Sequence, residues 1–316
     1  MSNLQTATSE PSFLQQTNPQ VPEGEKWEFC GCPLCGASEK NAEVRHVFEL
    51  SSYVRCQDCN LVYLSPRMKE SFLFAEVYDT PTYYGGDEGH GYETYEEEVH
   101  IYKKTFEDRV RVLRRFKNSG RVLDIGCGPG LFMDVADSHG FEAHGIDVSN
   151  YVVNKRKPEF GDRIVCGTLD TANYPAGYFD AITMFDLIEH IYQPEEFAAQ
   201  LSEILAPGGI VMAATPNYDS WMRKILGKKT VSFKIPEHVC YFTRETIALA
   251  FKDKFKLLHT ENIGQHCSVD FLSRRLSDIA PIVGSSFKSA AGVFGLKNKT
   301  WNVPSGSLLA VFQKCP

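Results

Sequence analysis

The stretch Arg121–Gly130 reads RVLDIGCGPG, and its reading decides the fold. Val122, Leu123 and Ile125 make a short apolar strand, Asp124 sits near its end, and glycines follow at alternate positions, Gly126, Gly128 and Gly130. Glycine at a strand-to-helix turn accepts positive φ and lets the backbone approach a bound molecule. The helix that follows presents free N–H groups to a carboxylate or phosphate. The stretch is therefore a ligand loop.

Downstream, strand and helix patterns alternate, with strands near 121–126, 141–147, 163–167, 179–185 and 209–215 and helices near 130–139, 149–157 and 194–205. Such alternation predicts an α/β fold with a doubly wound parallel sheet. Pro194 suits a helix start and Gly208-Gly209 its end. A helix near 243–253 leads to a strand at 255–262. The last strand, Leu308–Gln313, follows an insertion of about forty residues, too long for a plain loop and expected to contain helix. Upstream, Thr94 and Glu97 form a capping-box pattern, and Val99, Tyr102, Phe106, Val110 and Leu113 recur at helical spacing. That apolar stripe should pack on the sheet, with the basic run Arg109–Lys117 as its solvated face.

Nearer the N-terminus, Cys32-Pro33-Leu34-Cys35 and Cys56-Gln57-Asp58-Cys59 are separated by twenty residues. Two C-x-x-C knuckles at this spacing predict a four-thiolate zinc ribbon with Cys32, Cys35, Cys56 and Cys59 as ligands to Zn2+. So small a unit has little core, and the metal would supply much of its folding free energy. Cys30 and His46 lie close enough to substitute, but each breaks the paired pattern.

The 316 residues carry a net charge of −7 and 43% hydrophobic residues, a composition that supports one large core with accessory pieces. The charge argues against a surface that binds nucleic acid through phosphates. No apolar run reaches the length of a membrane span, and residues 1–26, rich in Ser, Thr, Gln, Pro and Glu, read as a flexible tail without a signal peptide. A cytoplasmic protein is expected. The expected organisation is a tail at 1–26, the ribbon at 27–66, a tyrosine-rich helical lid or linker at 67–117 and an α/β domain at 118–316. Insertions are expected near 218–242 and 264–304.

A dinucleotide fold would place the third glycine of its loop where this chain has Leu131. The glycines run G-x-G-x-G instead, and Asp147, in HGIDVS, ends the second strand, where an acid can accept both hydroxyls of a ribose. No triphosphate loop is present in the sequence. At this point the chain resembles the class I S-adenosylmethionine-dependent methyltransferases, particularly the branch of ubiquinone and menaquinone pathway enzymes. VLDIGCGPG (122–130), GIDVS (145–149), YFDAITMFDLIEHI (178–191) and ILAPGGIVMAATPN (204–217) carry the resemblance, in the family's order and spacing. It implies a Rossmann-like methyltransferase sheet with S-adenosylmethionine as methyl donor. Asp124, Gly126 and Gly128 would then lie along the methionine part, Asp147 at the ribose, Thr168 and Leu169 at the adenine, and Phe185 and Asp186 beside the sulfonium. The acid often found at position 168 is missing, so backbone groups or Asp170 would take the adenine.

The ribbon, the tyrosine-rich segment with Tyr83 and Tyr84, and this fold together resemble a subgroup that modifies sugars, lipids or other secondary metabolites. Pro236-Glu237-His238-Val239-Cys240-Tyr241-Phe242 is similar to a Glu-His-x-x-Tyr-Phe arrangement in sugar C-methyltransferases with an N-terminal zinc unit. There His and a nearby Tyr or Glu serve acceptor binding and proton removal. The resemblance implies a small-molecule acceptor, with His238, Glu237 and Tyr241 on its side and His190 as a competing base. Histidine has the most suitable unperturbed pKa for that step. An RNA base methyltransferase and a non-catalytic interaction protein built on the ribbon are the alternatives. The charge balance argues against the first, and the glycine loop with Asp147 against the second.

Overall fold

The computed structural model describes residues 26–78, 95–230, 232–279 and 299–316, with Ser286 and Ala291. Residues 1–25 of the expected N-terminal tail, the capping residue Thr94 and the pair Tyr83 and Tyr84 lie outside the described residues, as does most of 280–298. Among the described residues no helix is long and apolar enough to cross a membrane.

The N-terminal unit comprises β1 (Trp27–Glu28), β2 (Ala42–Val47), β3 (Ser52–Cys56), β4 (Val62–Ser65) and β5 (Arg67–Met68). The helix Tyr95–Leu113 follows, and then β6 (Gly120–Ile125), β7 (Phe141–Asp147), β8 (Ile164–Cys166), β9 (Phe179–Phe185) and β10 (Leu205–Pro216). The chain is completed by β11 (Cys240–Tyr241), β12 (Phe255–Ser268) and β13 (Thr300–Lys314). The main sheet has seven strands in the order β12-β13-β10-β9-β6-β7-β8. β6, β7, β8, β9 and β10 run parallel, and β13 is antiparallel to both neighbours.

Side-chain alternation on β6 explains the two layers. Val122 joins the apolar cluster formed with the helices Tyr95–Leu113, Leu131–Ser138 and Asn150–Phe160, whereas Leu123 and Ile125 face Leu201 of helix Pro194–Ile204 and Ile247 of helix Arg244–Phe251. The fold is the expected α/β doubly wound sheet. From β6 the chain winds outward through β7 and β8, then crosses back to β9. The carboxyl ends of β6 and β9 therefore flank a topological switch point, where open α/β sheets bind ligands.

The cysteine unit is built into the same core. Leu34, Val54 and Tyr63 share a cluster with Phe179, Leu201 and Phe251 of the α/β domain. Its sheet has the order β11-β4-β3-β2, so one of its four strands comes from residues 240–241. Residues 240–241, beyond β10, thus contribute a strand to the N-terminal sheet.

Candidate functional site

After β6 the chain turns through Gly126, Gly128 and Gly130 with φ of 70°, 48° and 70°, conformations that favour glycine. The amides of Gly126 and Cys127 both donate to the Ile146 carbonyl, at 2.8 and 3.1 Å, which fastens the loop to β7. Asp147, 4% exposed, is held by two backbone donors: Gly128 N–H to Oδ2 at 2.8 Å and Ser149 N–H to Oδ1 at 2.9 Å. Each carboxylate oxygen carries two lone pairs, so this fixed acid can still accept hydroxyls. Asp124 is also 4% exposed and receives Thr183 Oγ1–H on Oδ1 at 2.7 Å. Burial pushes its carboxyl up to about 8, against the pull of Thr183 and with help from the nearby Asp147.

A cavity of about 1240 Å³ opens over this loop. Gly126, Gly128, Asp124 and Asp147 line one part of it. Thr168 and Leu169, at the start of the short helix after β8, line it as well, and so does Asp170, whose Oδ1 accepts Gln200 Nε2–H at 2.8 Å. Phe185 lines the cavity and packs its ring 5.0 Å from Phe132 and 5.6 Å from Phe106. Next to it Asp186 takes φ of +52°, a left-handed turn that a non-glycine residue adopts at a cost. Its side chain is open to the cavity but enclosed by protein, so burial raises its carboxyl while Lys234 and Arg109 pull the other way.

His190 and His238 also line the cavity, with ring centroids 4.7 Å apart and planes at 84°. Enclosure is the main reason both stay neutral. It brings His190 down to about 3, with Lys234 adding to the effect, and it holds His238 well below the usual range, with His190 and Lys234 adding. Glu189, 1% exposed, accepts Thr215 Oγ1–H on Oε2 at 2.8 Å, and its Oε1 lies 4.0 Å from His238 Nε2. Burial, then the neighbouring Asp186, lifts the Glu189 carboxyl to about 8. Tyr78 Oη sits 2.7 Å from His190 Nδ1.

Two of the residues named from sequence stand apart from this cavity. Glu237 is 3% exposed and Tyr241 2%, and neither lines it. Tyr241 turns toward the cysteine unit, its ring 6.0 Å from Tyr53 and 5.2 Å from Phe233. In the cysteine unit the Sγ atoms of Cys32, Cys35, Cys56 and Cys59 lie within 4.8 Å of one another, with Cys32–Cys59 at 3.4 Å and Cys35–Cys56 at 3.6 Å. Tetrahedral zinc with bonds of about 2.3 Å would set sulfurs roughly 3.8 Å apart, so the donor set and its spacing fit that ion. Cys30 and His46 stay outside the cluster, Cys30 facing the Leu64 carbonyl and His46 Nε2 meeting Tyr218 Oη at 3.1 Å.

The sequence assigned no site role to Glu189, which lies within the motif 178–191, to Tyr78 of the tyrosine-rich segment, or to Lys234 and Arg109. Arg109 is a correction: it is 7% exposed, lines the cavity and donates Nη2–H to the Gly264 carbonyl at 2.6 Å, so it is no part of a solvated face. Its spacing from Phe106 and Leu113, three and four residues, already put it on the apolar stripe.

The sequence matches the methyltransferase domain family over residues 95–254, about half of the chain. A ubiquinone biosynthesis O-methyltransferase from Aromatoleum aromaticum is 24% identical over 188 residues, which cover 57% of this chain and 73% of that protein. Another, from Coxiella burnetii, is 27% identical over 123 residues, 37% of this chain and 53% of that protein, so the chain spans about half of this relative. Among solved structures, a SAM-dependent methyltransferase from Archaeoglobus fulgidus is 18% identical, with a TM-score of 0.46 and coverage of 70% of this chain and 98% of that one. With the family matched across the glycine loop, Asp147 and both histidines, the chain belongs to the methyltransferase domain family and is a class I S-adenosylmethionine-dependent methyltransferase.

Proposed function

We propose that the protein methylates a small-molecule acceptor bound at the histidine end of the cavity, with His238 orienting or deprotonating it. The supporting observation is that His238 lines the same cavity as the glycine loop and Asp147, so donor and acceptor would share one enclosed space. S-adenosylmethionine, when bound, supplies an activated methyl group. The residues of the chain then have to align a nucleophile and exclude water. In this reading Asp147 takes the ribose hydroxyls, Thr168, Leu169 and Asp170 line the adenine, and Gly126, Gly128 and Asp124 cradle the methionine end. Phe185 and Asp186 border the reacting centre. His238 begins neutral and can accept the acceptor's proton. The Glu189 carboxyl, 4.0 Å from its Nε2, would stabilise the imidazolium once ionised.

The four cysteines, we further propose, hold structural Zn2+, which suits a reducing cytoplasm. The relatives named for ubiquinone biosynthesis favour an oxygen acceptor, and a lipid, sugar or secondary metabolite are the classes to screen. A net charge of −7 disfavours RNA.

A methyl-transfer screen with mass-spectrometric detection would identify the product, and two variants would divide the site. His238→Ala should lower turnover by about 100-fold or more while S-adenosylmethionine affinity stays within roughly twofold. Asp147→Ala should do the reverse, weakening donor binding in calorimetry. Unchanged turnover in the first variant, or wild-type affinity in the second, would sink the corresponding role.

A further inference from the structure

At the acceptor end, one oxygen of a buried acid has no hydrogen-bond partner among the described residues. Oε2 of Glu189 is satisfied by Thr215, whereas Oε1 is buried and meets no such partner among the described residues. An unsatisfied buried carboxylate oxygen is destabilising, and such an atom in a native protein calls for a partner such as a water or an ion. The surroundings favour an ion. Glu189, His190 and His238 each offer one ligand atom, and the three atoms lie within 4.8 Å of one another. The two imidazoles meet edge to face, with centroids 4.7 Å apart and planes at 84°. Behind them Thr215 holds the carboxylate and Tyr78 holds the His190 ring, the kind of outer support that orients metal ligands.

We propose that Glu189, His190 and His238 bind a divalent transition-metal ion at the acceptor end of the cavity, separate from the four-cysteine cluster. Two imidazole nitrogens and one carboxylate suit zinc, manganese or iron(II) and leave coordination positions open toward the cavity. An ion so placed takes an acceptor that presents oxygen, such as a phenol with a neighbouring hydroxyl, and lowers the pKa of the group to be methylated. The proposal rests on the assignment of His238 to the acceptor side. It changes what His238 does there, from taking a proton to holding the ion.

Manganese separates the two sites, because thiolates prefer zinc while nitrogen and carboxylate donors accept manganese. The full chain carrying one zinc per chain by metal analysis, so that only the cysteine cluster is filled, should be titrated with Mn2+ and the loss of the free-ion electron paramagnetic resonance signal followed. One saturable site per chain is expected. Glu189→Gln and His238→Ala should each weaken it by about tenfold or more, with zinc content and S-adenosylmethionine affinity retained as proof of folding. Absence of saturable Mn2+ binding in the wild type would overturn the proposal, and so would binding that neither variant changes. Because no acceptor is needed, the outcome is independent of the turnover test. A chain that binds no Mn2+ but loses turnover in His238→Ala keeps the proton-transfer role and loses the ion.

Discussion

Asp124 shows how one residue can tie stability to the site. Its carboxyl is 4% exposed and accepts a hydrogen bond from the hydroxyl of Thr183. In the unfolded chain an aspartate titrates near about 3.9, whereas burial lifts this one to about 8 in the folded state. The native state therefore keeps a proton that the unfolded state has released. Stability contributed by this group is complete below the lower value and falls as pH rises through the higher one. Without bound ligand, the melting temperature should drop between pH 5 and pH 8, and Asp124→Asn should reduce that drop. Glu189, lifted to about 8 by burial and by Asp186, should account for part of what remains. Calorimetric scans at several pH values would read the slopes. Parallel slopes for variant and wild type would remove Asp124 as a source.

At the scale of elements, the glycine loop works because β7 lets it lie close. Gly145 pairs with Asp124 across β6 and β7, and a Cβ there would meet Met133 Sδ at 2.5 Å and Cys127 Sγ at 2.7 Å. Gly145→Ala should thus cost about 1–3 kcal/mol through overpacking and also displace Cys127 within the loop. Urea unfolding should show the stability loss, and calorimetry a weaker affinity for S-adenosylmethionine. A variant with wild-type values in both would refute the coupling. The parallel strands were legible in the sequence because burial on both faces makes them apolar runs, as in FDAITMF of β9. The expected helix stop at Gly208-Gly209 is different in the structure. The helix ends at Ile204, and the buried Leu205 starts β10, which carries a register shift before Ile210. The outer parts of β12 and β13 and the two-residue β11 escaped the reading for another reason: partner strands distant in sequence fix them, and no local pattern does. The site divided in the same way. Loop and strand-end residues such as Gly128, Asp147 and Glu189 are written within motifs, whereas Arg109, Lys234 and Tyr78 acquire their place from segments that meet over the cavity.

Across the whole molecule, the cysteine unit packs behind the segment that carries His238. Tyr53 Oη–H donates to the His238 carbonyl at 2.8 Å, and Leu64 N–H to the Val239 carbonyl at 2.9 Å. Phe233 stacks on Tyr53 with ring centroids 4.9 Å apart. The segment that carries Lys234 and His238 is thus pinned to β3 and β4, while the proposed donor contacts sit on β6, β7 and β8. If zinc supplies the folding free energy of the unit, its loss should act first on the acceptor end. A chelator could strip both proposed metal sites, so substitution of one thiolate separates them. Cys56→Ser, in full-length protein, should abolish bound zinc and lower methyl transfer by about tenfold or more, because a misplaced reacting group loses its alignment. S-adenosylmethionine affinity should stay within a few-fold, since Asp147 and the glycine loop are held by β7. Metal analysis, calorimetry and turnover on the same preparation give the answer. Full turnover without zinc would reduce the unit to an appendage. Donor binding lost together with turnover would mean that the ribbon and the α/β domain fold as one cooperative body, a reading their shared apolar core makes the natural competitor.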